Sequence, residues 1–245
     1  PASLCNILKW LKNSNYNLGI SKIPKDSFEV MKHILKGRTN SPESNSRIPL
    51  DFLSLDNYLS FWRSLHNNLQ NKVIERWGIP ENSMDLESEG FPICGITFGN
   101  ISILIQPSRG YDPENIEDLH SPDLPPPHRY IAQYLWINKV FKADALIHLG
   151  KHGSLEWLPG KGIGLSTSCF PLIVNPKIPY IYPFIVNDPG EGSQAKRRTN
   201  STIIDHLIPP IEKSGSYGPL FELESLFDEY YEARLFSDNR KEYLE

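Results

Sequence analysis

Cysteine is scarce: Cys5, Cys94 and Cys169 are odd in number, far apart and without a CxxC spacing. That pattern argues against a disulfide framework and a cysteine zinc site, and fits a reducing cytoplasm. Long apolar runs are missing too, since none approaches the roughly 18 residues a membrane span needs. No basic region followed by an apolar stretch follows Pro1, so nothing reads as a secretory leader. Neither sign of charge dominates, with 25 basic residues against 29 acidic and a net charge of −4. A protein that tracks a nucleic-acid backbone carries a basic stripe, so nucleic acid is not an expected partner. The chain opens on Pro1 and closes in a charged helical pattern, and it reads as a piece of something longer.

What is there is a globular composition. The 245 residues are 39% hydrophobic, enough for one large or two small domains with a real core. Leu4, Ile7, Leu8 and Leu11 have helical spacing, and Ser27–Leu35 reads as a second helix with Ser27 as its cap. The polar run 39–47 reads as an exposed connection. A longer helix is expected over Asn57–Trp77, capped by Asp56, with Leu59, Trp62, Leu65, Leu69, Val73 and Trp77 on one stripe. ICGITF and ISILIQ flank Gly99-Asn100 and predict a β-hairpin. It leads through Arg109 into a proline-rich loop that ends at His128. Tyr130–Phe141 predicts a helix and Ala143–Leu149 a buried strand. Helix, apolar strand and glycine-rich loop together are α/β grammar, in which ligands gather at the carboxyl ends of strands. The expected architecture is a mixed α/β domain over 91–245, with a hairpin, helices and glycine- and proline-rich site loops, preceded by a mostly helical segment over 1–90.

The densest chemistry lies in ADALIHLGKHGSLEWLPGKGI, residues 144–164. His148, His152 and Glu156 are spaced by four, yet Gly150, Gly153 and Pro159 favour a loop with a short turn of helix near Glu156. Two imidazoles and a carboxylate suit a divalent transition metal, and the same carboxylate suits proton transfer from a nitrogen acid. The plain alternative is a strand-end histidine bonded to backbone beside an exposed glutamate. PGKGIGLS fails as a phosphate loop, because Leu155 stands where the first glycine is needed and Gly162 where serine or threonine is needed. Ser154 and Ser166 lack the nucleophile-elbow pattern of a hydrolase. His33 and His66 read as ordinary helical histidines. Beyond a strand at YIYPFIV, Glu191 is expected to open a helix over 191–207 that carries Lys196, Arg197 and Arg198. A basic triplet on such a helix suits carboxylate binding, although a charge run is more often a solvated face. A final amphipathic, acidic helix is expected over 220–236.

QPSRGY, HSPDLPPPH, ADALIHLGKHGSLEWLPGKGIGLS, YPFIVNDPGEGSQAKRR and IIDHLIPP together resemble the large subunit of ATP-dependent cobaltochelatase, the CobN family, which is similar to the magnesium chelatase large subunit. The resemblance is dense over 93–229. It implies a cytoplasmic ligase subunit of cobalamin biosynthesis that forms nitrogen–metal bonds. Its substrates would be Co(II) and a corrin precursor, hydrogenobyrinic acid a,c-diamide. ATP and Mg would sit on an AAA+ ATPase partner and a second accessory subunit, not on this chain. Carried onto this sequence, the resemblance implies Glu156 as proton acceptor or transient ligand, with His148 and His152 delivering the metal. It implies Glu191, Asn187, Lys196, Arg197, Arg198, Lys161, His128 and Arg109 as the residues that face the macrocycle. The neighbouring readings are a magnesium chelatase subunit acting on protoporphyrin IX and a non-catalytic tetrapyrrole- or metal-binding module.

Overall fold

A computed structural model of the chain describes residues 1–19, 23–110, 123–150, 152–183, 189–205 and 217–236. It divides into two compact units, Pro1–His206 and Leu207–Glu245. In the first unit, helices α1 (Ala2–Asn13) and α2 (Ser27–Ile34) bury Cys5, Leu8 and Val30 together with Phe98 of a hairpin. That hairpin is β3 (Gly95–Phe98) against β4 (Ile101–Leu104), antiparallel through Gly99-Asn100 as the sequence predicts. Gly99 has φ +54°, and a Cβ there would lie 2.4 Å from the Asn17 carbonyl oxygen, so this turn requires glycine. Asp26 rather than Ser27 caps α2, accepting the Glu29 N–H.

The larger core joins residues on both sides of position 90. Helices α3 (Leu55–Trp62) and α4 (Asn67–Trp77) contribute Tyr58, Leu59, Trp62, Leu69 and Val73. Helix α5 (His128–Lys139) contributes Tyr130, Ile131, Leu135 and Trp136. Strands β1 (Asp51–Leu53) and β2 (Phe91–Ile93) pair antiparallel between them. A boundary near residue 90 would cut through both cores, because residues on both sides of it supply side chains to each. The single helix expected over 57–77 is also two helices, and Ser54, not Asp56, caps the first by accepting the Asn57 N–H. Between them His66 turns extended and accepts the Asn68 N–H, while the Gln70 amide donates to the carbonyls of Trp62 and Leu65. The break costs little because its polar groups are paired and Leu65 stays buried.

A parallel sheet in the order β5-β6-β7 carries the site. It comprises β5 (Leu146–Ile147), β6 (Tyr180–Pro183) and β7 (Thr202–Ile204), with the short helix α6 (Phe170–Val174) and helix α7 (Pro189–Arg198) between strands. The helix expected over 191–207 thus ends at Arg198. Asn200 adopts a left-handed φ of +54°, and β-branched Thr202, Ile203 and Ile204 pair with β6 instead. In the second unit, helix α8 (Pro219–Phe236) is acidic as expected. Its apolar Leu220, Phe221, Leu223, Leu226, Phe227 and Tyr231 are not confined to one narrow stripe, since at about 100° per residue they span more than half its circumference.

Candidate functional site

β5 delivers His148 to the carboxyl edge of the sheet, where its N–H donates to the Ile181 carbonyl at 2.9 Å. The imidazole lies edge-on to Tyr182, with ring centroids 4.7 Å apart, and burial pushes its pKa below the usual histidine range. The chain then turns through Gly150 and Gly153 into a one-turn 3-10 helix, Leu155–Trp157. Glu156 is fully buried there, not exposed. Neither of its carboxylate oxygens has a hydrogen-bond partner among the described residues. Its carboxyl occupies the space a side chain at Gly153 would take, since a Cβ on Gly153 would lie 2.2 Å from Glu156 Oε1. Burial pushes this carboxyl up to about 7. The residue's own N–H, short of hydrogen-bond geometry, opposes that rise, the charge of Glu191 adds to it, and Arg109 and Arg198 oppose it.

The second wall comes from α7. Glu191, in its first turn, is 3% exposed. Its Oε2 lies 2.5 Å from His152 Nδ1, an ion pair when the imidazole is protonated. Its Oε1 accepts the Tyr182 hydroxyl at 3.0 Å and the Gly153 N–H at 3.3 Å. Gly153 N–H also donates to the Tyr182 hydroxyl oxygen at 2.9 Å. The His152 side chain is 62% exposed while its glutamate partner is buried, so the pair spans the edge of the site. The Glu191 side chain, engaged by His152, Tyr182 and Gly153, thus lies close to a Glu156 carboxyl that has no hydrogen-bond partner among the described residues.

The remaining expected residues divide. Arg198 is buried, and its guanidinium donates to the carbonyls of Glu156 at 2.7 Å, Leu158 at 2.7 Å and Lys161 at 3.2 Å. Its donors go to this chain's own turn, so it clamps the turn rather than facing a ligand. Arg109 is buried too, donates to the Leu124 carbonyl and contributes positive potential at Glu156. His128 belongs to the core: its Nδ1 pairs with the Tyr58 hydroxyl at 2.7 Å and its Nε2 with the Gly78 carbonyl at 2.9 Å, amid the rings of Tyr58, Trp62 and Phe91. With both nitrogens engaged, it is a satisfied core histidine instead of a macrocycle contact. Lys161, Lys196 and Arg197 are exposed, and Asn187 lies outside the described residues. Among the described residues, no group of three or more His, Cys, Asp or Glu is arranged to hold a metal. His148, His152 and Glu156 therefore do not form a preassembled three-ligand site, because Gly153 admits Glu156 inward while His152 turns outward to Glu191.

Sequence reasoning missed Tyr182 and the neighbouring phenols. Tyr130 bonds Ser154 at 2.9 Å, at the start of the turn that carries Glu156, and Tyr134 bonds Gln106 at 2.9 Å. Burial raises Tyr130 to about 12 and raises Tyr180 and Tyr182 beyond the ordinary phenol range. The available signal is the alternation Tyr180-Ile181-Tyr182, which puts two hydroxyl-bearing rings on one face of a strand; the Tyr182 hydroxyl is paired with Gly153 and Glu191, while that of Tyr180 has no hydrogen-bond partner among the described residues.

A family model described as CobN/Magnesium Chelatase matches residues 1–245. The chain is 44% identical over its whole length to the aerobic cobaltochelatase subunit CobN of Pseudomonas aeruginosa, of which it covers 20%. It is 33% identical to the chloroplastic magnesium-chelatase subunit ChlH of Oryza sativa over 93% of this chain and 16% of that protein. Among solved structures, the catalytic subunit of cobaltochelatase from Mycobacterium tuberculosis superposes with a TM-score of 0.72 at 35% identity, covering 100% of this chain and 21% of that one. The chain spans about a fifth of the length of the curated cobaltochelatase relatives it matches.

Proposed function

Because this chain belongs to the CobN/magnesium chelatase family, we propose that it carries the metal-insertion site of an ATP-dependent cobaltochelatase large subunit, with Co(II) and a corrin precursor as substrates. Identity of 44% to a cobaltochelatase subunit, against 33% to a magnesium chelatase subunit, supports cobalt over magnesium. The reaction is cytoplasmic, consistent with Cys5, Cys94 and Cys169 standing as free thiols. Among the described residues, no helix is long and apolar enough to cross a membrane. ATP hydrolysis falls to an AAA+ partner, with a second accessory subunit completing the enzyme, since the glycine-rich run after Glu156 departs from a phosphate loop in both spacing and residue type.

The observation that carries this reading is the buried Glu156 carboxyl, pushed up to about 7 close to the His152–Glu191 pair, of which only the imidazole is exposed. Insertion of Co(II) into a metal-free corrin releases its one inner N–H proton, and the four ring nitrogens become metal ligands. Glu156, ionised, accepts one proton at a site that burial has already made basic. The His152–Glu191 pair first meets the ion, with His148 behind it at the sheet edge. Lys161, Lys196 and Arg197, all exposed, face the peripheral carboxylates of the macrocycle, together with Asn187. Glu156→Gln in the full-length protein, assayed with its ATPase partners, is expected to abolish cobalt insertion while spectral titration finds ring binding nearly intact. Unchanged insertion kinetics would overturn the assignment.

A further inference from the structure

Tyr182 stands where the two walls of the site meet. Its ring is wholly buried on β6 and presents itself edge-on to His148. Its hydroxyl accepts the Gly153 N–H at 2.9 Å and donates to Glu191 Oε1 at 3.0 Å. The first bond fixes the residue whose bare α-carbon makes room for the Glu156 carboxyl. The second fixes the carboxylate whose other oxygen takes His152. A phenol is suited to this because its oxygen accepts and donates at once, and an O–H to a carboxylate is among the stronger hydrogen bonds. β6 is the central strand of its sheet, so the hydroxyl is mounted on the most rigid element available. The packing of the ring against His148 needs no oxygen, whereas both of these bonds end on residues of the site.

We infer that Tyr182 is a positioning residue of the insertion site: its hydroxyl ties Gly153 to Glu191 and so sets the separation of the Glu156 carboxyl from the Glu191–His152 pair. The inference rests on the reading of Glu156 and Glu191 as the groups that meet the ring. It goes beyond that reading by naming what holds them in register. Tyr182 is wholly buried, so its loss is expected to act on the chemical step and to leave ring affinity alone.

The test compares Tyr182→Phe, Glu191→Gln and the double variant in the full-length subunit with its partner proteins, ATP, Co(II) and a corrin precursor. Y182F is expected to lower kcat by about tenfold or more while the KM for the ring changes less than about twofold, the scale on which supporting hydrogen bonds act. On the E191Q background the same change is expected to cost less than about twofold more, because residues acting through one bond are not additive. A rise in KM with kcat kept, an unchanged kcat, or a loss repeated in full on the E191Q background overturns the inference. If Y182F does not fold, 3-fluorotyrosine at position 182 keeps the ring and alters the hydroxyl. A changed kcat at fixed KM then supports the inference, and an unchanged kcat overturns it. Failure of the underlying reading is distinguishable, since it appears as wild-type insertion by E156Q whatever Y182F does.

Discussion

Gly153 and Glu156 act as one unit, for the glycine is the cavity and the carboxyl is what fills it. Gly153→Ala places a methyl group 2.2 Å from Oε1, the far end of a flexible side chain, so the carboxyl is displaced. Insertion is expected to fall by about 100-fold with ring binding retained, which steady-state kinetics and spectral titration separate. Glu156 also ties stability to pH. Burial raises its folded pKa to about 7, above the ordinary glutamate value, so its neutral form favours the fold. That contribution is fully present below the ordinary value and is lost as pH rises through about 7. Glu156→Gln removes the titration and is expected to stabilise the chain at pH 8 relative to pH 5 by on the order of 2–3 kcal/mol, read from urea midpoints at the two pH values.

Among the elements, the 3-10 turn is the smallest and the most dependent on others. Its three residues make too few internal bonds to hold their shape, and Arg198 supplies the rest from the end of α7. The adjacent arginines of one helix therefore have opposite duties. Arg198→Ala leaves carbonyls unpaired, each costing about 1–3 kcal/mol when buried, so the chain is expected to lose about 3 kcal/mol and insertion with it. Arg197→Ala, on the exposed side, is expected to leave the unfolding midpoint unchanged and to weaken ring binding. Equal stability loss in both variants would contradict this division of roles. The sequence made α7 legible, down to Glu191 in its first turn. It did not reveal the end at Arg198, because the left-handed turn at Asn200 is rewarded only when Thr202–Ile204 finds β6.

At the scale of the whole first unit, the two cores are assembled from distant stretches. The hairpin over 95–104 buries Phe98 against Leu8 and Val30, and Tyr130 and Trp136 share a core with Tyr58, Trp62 and Leu69. Residues 1–90 are thus part of the platform on which the site is built. A polypeptide of residues 91–245 alone is expected to lose its fixed packing, with near-UV circular dichroism abolished and a hydrophobic dye bound, while the 245-residue chain keeps its near-UV signal. Cooperative folding of the shorter piece would show that the helical segment is dispensable.

Local pattern alone determined a good deal of this protein. Apolar periodicity placed α1, α2 and α5, Gly99-Asn100 placed the hairpin turn, and the spacing of His148, His152 and Glu156 drew attention to the candidate site, because each signal is local in the chain. Which residues meet there was decided only by the tertiary structure. Spacing by four suggested that His152 and Glu156 converge, but the fold draws Glu156 inward past Gly153 and brings Glu191 to His152 across 39 residues. Likewise His128, in a motif that pointed to the ligand, went to the core because the Tyr58 hydroxyl and the Gly78 carbonyl satisfied both its nitrogens. The physical reason is common to both cases. A buried polar group is stable only beside its partners, and partners so far apart in the chain are chosen by packing rather than by spacing.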